Sequence, residues 1–504
     1  MEIIDRATDG WSHLLADDTR QTDELSIDGA PIARAMSAVQ EVVPDALADA
    51  RRPVYHFHAP AQWMNDPNGF IHLNGWYHLF YQFNPYSTKW GRIHWGHARS
   101  RDLVNWQHLP IALWPSENNG EEHVFSGAIY QSSQSQLLAF YTSIAFEESL
   151  REPQVWGAVP VDANLITWRK LDNRPVISEK VHGTIHVDEW RDPFLFSEGG
   201  NDYMLIGGEI DGRAVVCLYE AENPQLTAWT FRGTFFEYPD PSVKNIECPN
   251  LVKVDGRWVL LISVNCRVEY YTGVADMDRG VFVAHKHGVL NEGSYASQTI
   301  SDDCGHSVVV AWVRPIDGPG WSGCLSLPMD LSLRPDGTLV STPIDAVSSL
   351  QTSSNTVSNV SISGSVTILP RAIGDTWRVR ASIETGAATE LDLLLPVTPS
   401  GDQSVRVRYD CRTRVLSIPG LKDLVAPHTT HDDVLNLDIF LDKSLLDVFV
   451  NGGEICGTGA YQAEPAPVLG IQATAIGGHA KIREITVYKL SPAEFDMSYF
   501  ATAK

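Results

Sequence analysis

The sequence predicts an all-β protein built as a five-bladed β-propeller followed by a C-terminal β-sandwich, and three observations carry that prediction. Five stretches of apolar strand, polar turn and apolar strand recur at intervals of about 50–65 residues, the texture of a repeated sheet unit. A second echo, Leu-x-x-Trp, closes the segment after each of the first three. Beyond a Ser/Thr-rich stretch at 348–367 the repeat stops, and alternating strands of a different kind follow.

Taken in order, residues 1–50 read as an N-terminal extension, with a short helix over Ile32–Val43 that Pro44 ends because proline lacks the amide a helix needs. The propeller is expected over 51–345. Its hairpins are 70–83, 128–144, 193–208, 250–263 and 298–313, with Asn74-Gly75 and Asp255-Gly256 as strong two-residue turn signals. The echoes end at Trp106, Trp168 and Trp229, whose indoles suit packing between neighbouring sheets better than ligand contact. Five such units close radially and leave few exposed strand edges. A linker is expected over 346–358 and the sandwich over 359–504, with strands in TWRVRASIET, ELDLLLPV, SVRVRYD, VLNLDIFLDKSLLDVFVNGGE and KIREITVYKL.

Composition narrows the class of partner. A formal charge of −24 repels phosphate backbones and anionic membrane surfaces, so neither nucleic acid nor membrane is expected. A small neutral molecule is indifferent to that field. The seven cysteines are scattered without metal-type spacing and read as mostly buried thiols of a reducing compartment. No secretory pattern opens the chain, and a cytoplasmic location is the expectation. Nothing marks an oligomer interface, which leaves a homo-oligomer open.

Polar motifs stand just before the first strand of each blade: WMNDPNG (63–69), FSG (125–127), WRD (190–192), IECP (246–249) and NEGSY (291–295). The inner strands of a propeller run alongside the channel in one direction, so these motifs converge on one mouth. Asp66, Asp192 and Glu247 should therefore form one pocket. Any one of these carboxylates alone would be a turn or capping residue; three at equivalent positions are a constellation. Clustered carboxylates suit glycosyl transfer, in which one attacks or stabilises an oxocarbenium-like centre and another donates a proton to the leaving oxygen. Asp66, aimed by a Pro- and Gly-fixed turn, is assigned the nucleophile. Glu247, flanked by Ile246, Cys248 and Pro249, is assigned the acid/base, kept protonated by apolar neighbours. Asp192, beside Arg191, is expected to stay ionised and hold sugar hydroxyls.

WMNDPNG, WRDPF and IECPN, in that order, resemble the glycoside hydrolases of the invertase, levanase and exo-inulinase family, clan J, family 32. The resemblance covers about 54–335 closely and runs loosely to about 490. It implies the propeller and sandwich, a retaining mechanism on terminal β-fructofuranosyl bonds of sucrose or short fructans, and the same three roles for Asp66, Glu247 and Asp192. It further implies sugar contacts from Asn65, Gln82, Trp90, Phe125, Ser126, Arg191, Asn291 and Trp312, with no cofactor and no metal. Asn291 stands where the family usually has Asp, Ala128 where it has Ser, Asn250 where Asp is common, and Asp447 where Glu is usual. A fructosyltransferase shares the same intermediate, and a non-catalytic sugar-binding protein is the third reading. His56, His58, His94 and His97 lack the ligand geometry of a metal site and are expected to be hydrogen-bonded strand residues.

Overall fold

The five hairpins become five blades because each apolar strand buries one face against the next sheet, and tight turns return the chain. The Asn74-Gly75 turn has both residues at positive φ (53° and 74°), the two-residue geometry that matches strand twist. The computed structural model describes residues 21–501, apart from 133–135, 150, 172–174, 302–304, 370–373, 399, 426–432 and 469. Cys304 and the first 20 residues of the extension lie outside the described residues.

Blade 1 comprises Gln62–Leu73, Trp76–Asn84, His94–Ser100 and Trp106–Leu113; blade 2 comprises Glu121–Gln131, Leu137–Ala145, Gln154–Pro160 and Trp168–Lys170. Blade 3 comprises Asp188–Glu198, Asn201–Ile210, Arg213–Ala221 and Trp229–Glu237. Blade 4 comprises Glu247–Val254, Arg257–Val264, Arg267–Asp276 and Val281–Asn291. Blade 5 comprises Ser294–Ser301, Ser307–Gly318, Met329–Leu333 and Leu339–Pro343. The first strands of blades 1 to 5 touch in cyclic order, the fifth returning to the first, which closes the ring. A further strand, Trp321–Leu325, pairs antiparallel with blade 5 and parallel with Gln62 and Trp63, stapling the closure.

The Leu-x-x-Trp echo is a turn with its own hydrogen bond. Leu103, Leu165 and Leu226 all have positive φ (63°, 58° and 58°), costly for a non-glycine residue. In blades 2 and 3 the indole of Trp168 or Trp229 donates to the carbonyl of Leu165 (2.7 Å) or Leu226 (2.9 Å), and all three Trp are buried.

The second unit is a sandwich around an aliphatic core that includes Val379, Leu395, Ile439, Leu446 and Ile482. Its long strand Ile471–Leu490 pairs with Glu390–Pro396 through 472–476 and with Thr376–Glu384 through 481–489, so one strand serves both layers.

Three boundaries differ from expectation. The helix runs Gln21–Ala48 straight through Pro44, and its Ala35, Val39, Val43 and Ala46 are buried in the propeller core, so packing outweighs the hydrogen bond Pro44 cannot donate. The Ser/Thr-rich linker is, from Gln351 to Leu369, a 19-residue strand paired along Ile471–Leu490, which supplies the backbone partners that its small side chains cannot replace. The C-terminal segment leaves the sandwich: Phe495–Asp496 pairs with Trp106 and Gln107 of blade 1, and Phe495 stacks on His58 at 4.6 Å.

Candidate active site

In every blade, the first strand carries a bulge at the same place. Two residues oppose one on the second strand: Asn65 and Asp66, Phe125 and Ser126, Asp192 and Pro193, Cys248 and Pro249, Ala296 and Ser297. A bulge frees its residues from the ladder and re-aims their side chains. Here the redirection is fivefold and converges. Arg191, Glu247 and Tyr295 stand immediately before the bulges of blades 3, 4 and 5.

Asp66 is the hub. Its Oδ2 accepts from Ser126 Oγ (2.7 Å), from Gln82 Nε2 (3.2 Å) and, at sulfur distance, from Cys248 Sγ (3.8 Å). Its Oδ1 accepts from Asn65 Nδ2 at 3.1 Å. Asn65 Nδ2 also donates to Gln82 Oε1 (2.8 Å), and Gln82 Nε2 to Ser126 Oγ (2.6 Å). Trp63 fixes Asn65 by donating its indole N–H to Oδ1 (2.8 Å). Burial, then the charges of Asp192 and Glu247, push Asp66 up to about 7, against the pull of Ser126 and Asn65.

Asp192 is buried, with φ at +69°, a conformation unfavourable for a residue bearing a Cβ. Its own N–H donates to Thr142 Oγ1 (2.9 Å), and its Oδ2 accepts from Cys248 N (3.0 Å) and Cys248 Sγ (3.6 Å). Burial pushes its carboxyl up to about 6; Arg191 opposes this and Glu247 adds to it. Burial outweighs the Arg191 guanidinium, yet a carboxyl with a pKa of about 6 is still mostly ionised at neutral pH.

The expected apolar setting of Glu247 is corrected. Ile246 packs into the core, and Cys248, freed by the bulge, turns its Sγ to Asp66 and Asp192 rather than lining Glu247 with apolar surface. Glu247 itself faces the mouth. There it accepts from Arg191 Nη2 at 2.5 Å and Asn245 Nδ2 at 3.5 Å, and its side chain is 25% exposed. Tyr295 lies against it: burial, then Glu247's charge and hydrogen bond, hold the phenol well above its ordinary range.

Trp90, 51% exposed, forms a rim wall with His123 (4.9 Å) and Phe125 (6.1 Å). Trp312 stands edge-on to Trp63 at 5.7 Å. Asn291 is elsewhere. It is wholly buried and donates to Thr458 of the sandwich (3.0 Å), because a parallel bridge from Glu292 to Gly457 draws 291–293 onto the second domain. Sequence reasoning placed the fifth blade's polar contribution four residues early; Tyr295, in the same motif, is the residue that reaches the carboxylates. Trp63, His123, Thr142 and Cys248 were also missed as site residues. Of the four histidines, His56 joins Asp442 and Asp447, His58 meets Arg52 and the Ala59 carbonyl, His94 donates to the Arg92 carbonyl, and His97 pairs with His78.

Three carboxyls meet from separate blades, with burial raising the proton affinity of Asp66 and of Asp192, and such a cluster is able to attack a centre and move a proton at once. Two family models then match nearly the whole described chain: the glycosyl hydrolases family 32 N-terminal domain over 56–343 and the family 32 C-terminal domain over 346–489. The chain belongs to glycosyl hydrolase family 32. It is a glycoside hydrolase, with the family's propeller and sandwich. Among relatives of this family 32 chain, a levanase of Bacillus subtilis is 27% identical, the match covering 87% of this chain and 70% of the levanase. A sucrose-6-phosphate hydrolase of Escherichia coli is 27% identical, covering 82% and 90%. Among solved structures, a fructan 1-exohydrolase IIa from Cichorium intybus in complex with 1-kestose superposes with a TM-score of 0.74 at 22% identity, covering 89% of this chain and 99% of that one.

Proposed function

We propose that this family 32 hydrolase is a retaining β-fructofuranosidase that releases terminal β-D-fructofuranosyl groups from sucrose and related fructo-oligosaccharides. The observation that carries the reading is the asymmetry of Asp66. Three donors converge on Oδ2, leaving Oδ1 with one. Oδ1 is the oxygen with a lone pair to spare for the anomeric carbon.

In the first half-reaction Oδ1 bonds to that carbon as the bond to the leaving sugar breaks, and Glu247 delivers its proton to the departing oxygen. Asp192, fixed by the Cys248 amide, faces the charge that develops on the ring. In the second half-reaction water attacks, Glu247 takes its proton, and the ester to Asp66 breaks. Glu247 must be protonated to begin, with the proton on Oε2, the oxygen that Arg191 does not occupy. Trp90, Phe125 and Trp312 supply apolar surface to the furanose, and Asn65, Gln82 and Ser126 hold the nucleophile that meets it. The relatives named for levan, sucrose phosphate and fructan support the fructosyl class.

The test is product analysis with sucrose. Equal glucose and fructose, abolished in Asp66→Asn, is the expected result. Glucose in excess of fructose would mean transfer to sugar rather than to water, and no release from sucrose, raffinose, inulin or levan would overturn the reading.

A further inference from the structure

Arg191 and Arg314 both lie at the mouth, and they are occupied differently. Arg191 is spent on Glu189 and Glu247. Arg314, half-buried, lies over the ring of Tyr295 at 5.4 Å and of Trp312 at 5.3 Å. Among the described residues it makes no hydrogen bond and no ion pair. That is informative in a chain with 62 acidic and 38 basic residues, where a guanidinium readily finds a carboxylate. Two aromatic rings instead flank the group, with its N–H fork unspent.

Position assigns the fork a partner. Tyr295 lies against Glu247, so Arg314 stands on the acid's side of the pocket. The proton donor of a glycoside hydrolase faces the leaving oxygen. The side holding Glu247 and Arg314 is therefore where the departing sugar sits.

We propose that Arg314 is a specificity-determining residue that holds the leaving-group sugar by donating to its hydroxyls. The inference rests on the fructosidase reading above. By microscopic reversibility the same contact serves an acceptor sugar. The acceptor hydroxyl oxygen bonds to the fructosyl anomeric carbon, the ester bond to Asp66 breaks, and the hydroxyl proton goes to Glu247. Arg314 thus sets how much fructosyl passes to sugar instead of water.

Arg314→Gln, compared with the unaltered enzyme on sucrose and on methyl β-D-fructofuranoside, tests this. The methyl glycoside keeps the fructosyl half and the chemistry but offers Arg314 no sugar hydroxyls. The expected result is a roughly ten- to hundredfold fall in kcat/KM for sucrose, carried mainly by KM, with the methyl glycoside unchanged. The ratio of trisaccharide to free fructose at high sucrose should fall as well. Equal losses on both substrates would show a structural role and overturn the proposal, as would no loss on either. If the unaltered enzyme cleaves the methyl glycoside but not sucrose, Arg314 holds no sugar and the proposal fails alone. If it cleaves neither, the proposal fails, and if raffinose, inulin and levan also resist, the fructosidase reading fails with it.

Discussion

Ser126 and Gln82 touch the nucleophile, and this gives the sequence-derived sugar contacts a second duty. Ser126 is buried, with its hydroxyl between Gln82 and Asp66 Oδ2. A donated hydrogen bond favours the ionised carboxylate, so it partly offsets the burial and repulsion that push Asp66 up to about 7. Attack requires ionised Asp66, and activity falls as pH drops through its pKa. Ser126→Ala removes one donor, raises that pKa, and should move the acid limb of the kcat/KM profile to higher pH by roughly half to one unit. A limb that stays in place would show that Ser126 does not tune the nucleophile. At this scale Asp66, Asp192 and Glu247 were legible in the sequence as a constellation. Their partners were not, because reading Glu247 by its chain neighbours ignores strand alternation at Ile246 and the bulge that turns Cys248 to Asp66 and Asp192. The guanidinium beside it comes from another blade, 56 residues away.

The bulge is the element that turns a repeat into a site, and it depends on close approach between blades. Gly207, opposite Arg191 in blade 3, is so near blade 4 that a Cβ there would lie 1.9 Å from the Ile246 carbonyl oxygen, one residue before Glu247. Gly207→Ala should destabilise the fold by about 1–3 kcal/mol and displace Glu247. Thermal unfolding and kcat measured together check this, and unchanged values for both would contradict so tight a junction. The hairpins were readable from turn chemistry and strand period, as Asn74-Gly75 shows. The bulges left a fainter trace. Asp66-Pro67, Asp192-Pro193 and Cys248-Pro249 repeat a proline, which has no amide to give the ladder, in or next to the bulge of three inner strands.

Across the whole molecule, propeller and sandwich are joined by a buried ionic knot. Asp442 accepts from the amides of Val54, Tyr55 and His56 and from His56 Nδ1 (2.9 Å), while His56 Nε2 meets Asp447 at 2.7 Å. Burial alone would lower the imidazole's pKa, but Asp447 and Asp442 raise it from 6.5 to about 9. A histidine pKa raised by folding stabilises most below its unfolded value. That stabilisation is lost as pH climbs from about 6.5 through about 9. His56→Gln should cost about 3–5 kcal/mol near pH 6, with the difference narrowing by pH 10. Unfolding followed across that range checks the sign, and a gap that widens with pH would contradict it. The two-domain plan was legible because strand texture changes near residue 350. The junction was not: Asn291, Asp447 and the C-terminal Phe495 find partners hundreds of residues away, or in the other domain, and no local pattern records such contacts.

The central claim is that Asp66 becomes covalently fructosylated during turnover. Acid-quenching the enzyme while it turns over sucrose, then mapping its peptides by mass spectrometry, tests this most directly. A fructosyl-mass adduct on the peptide bearing Asp66, absent in Asp66→Asn, is the predicted result. An adduct on another residue, or full activity in Asp66→Asn, would contradict it.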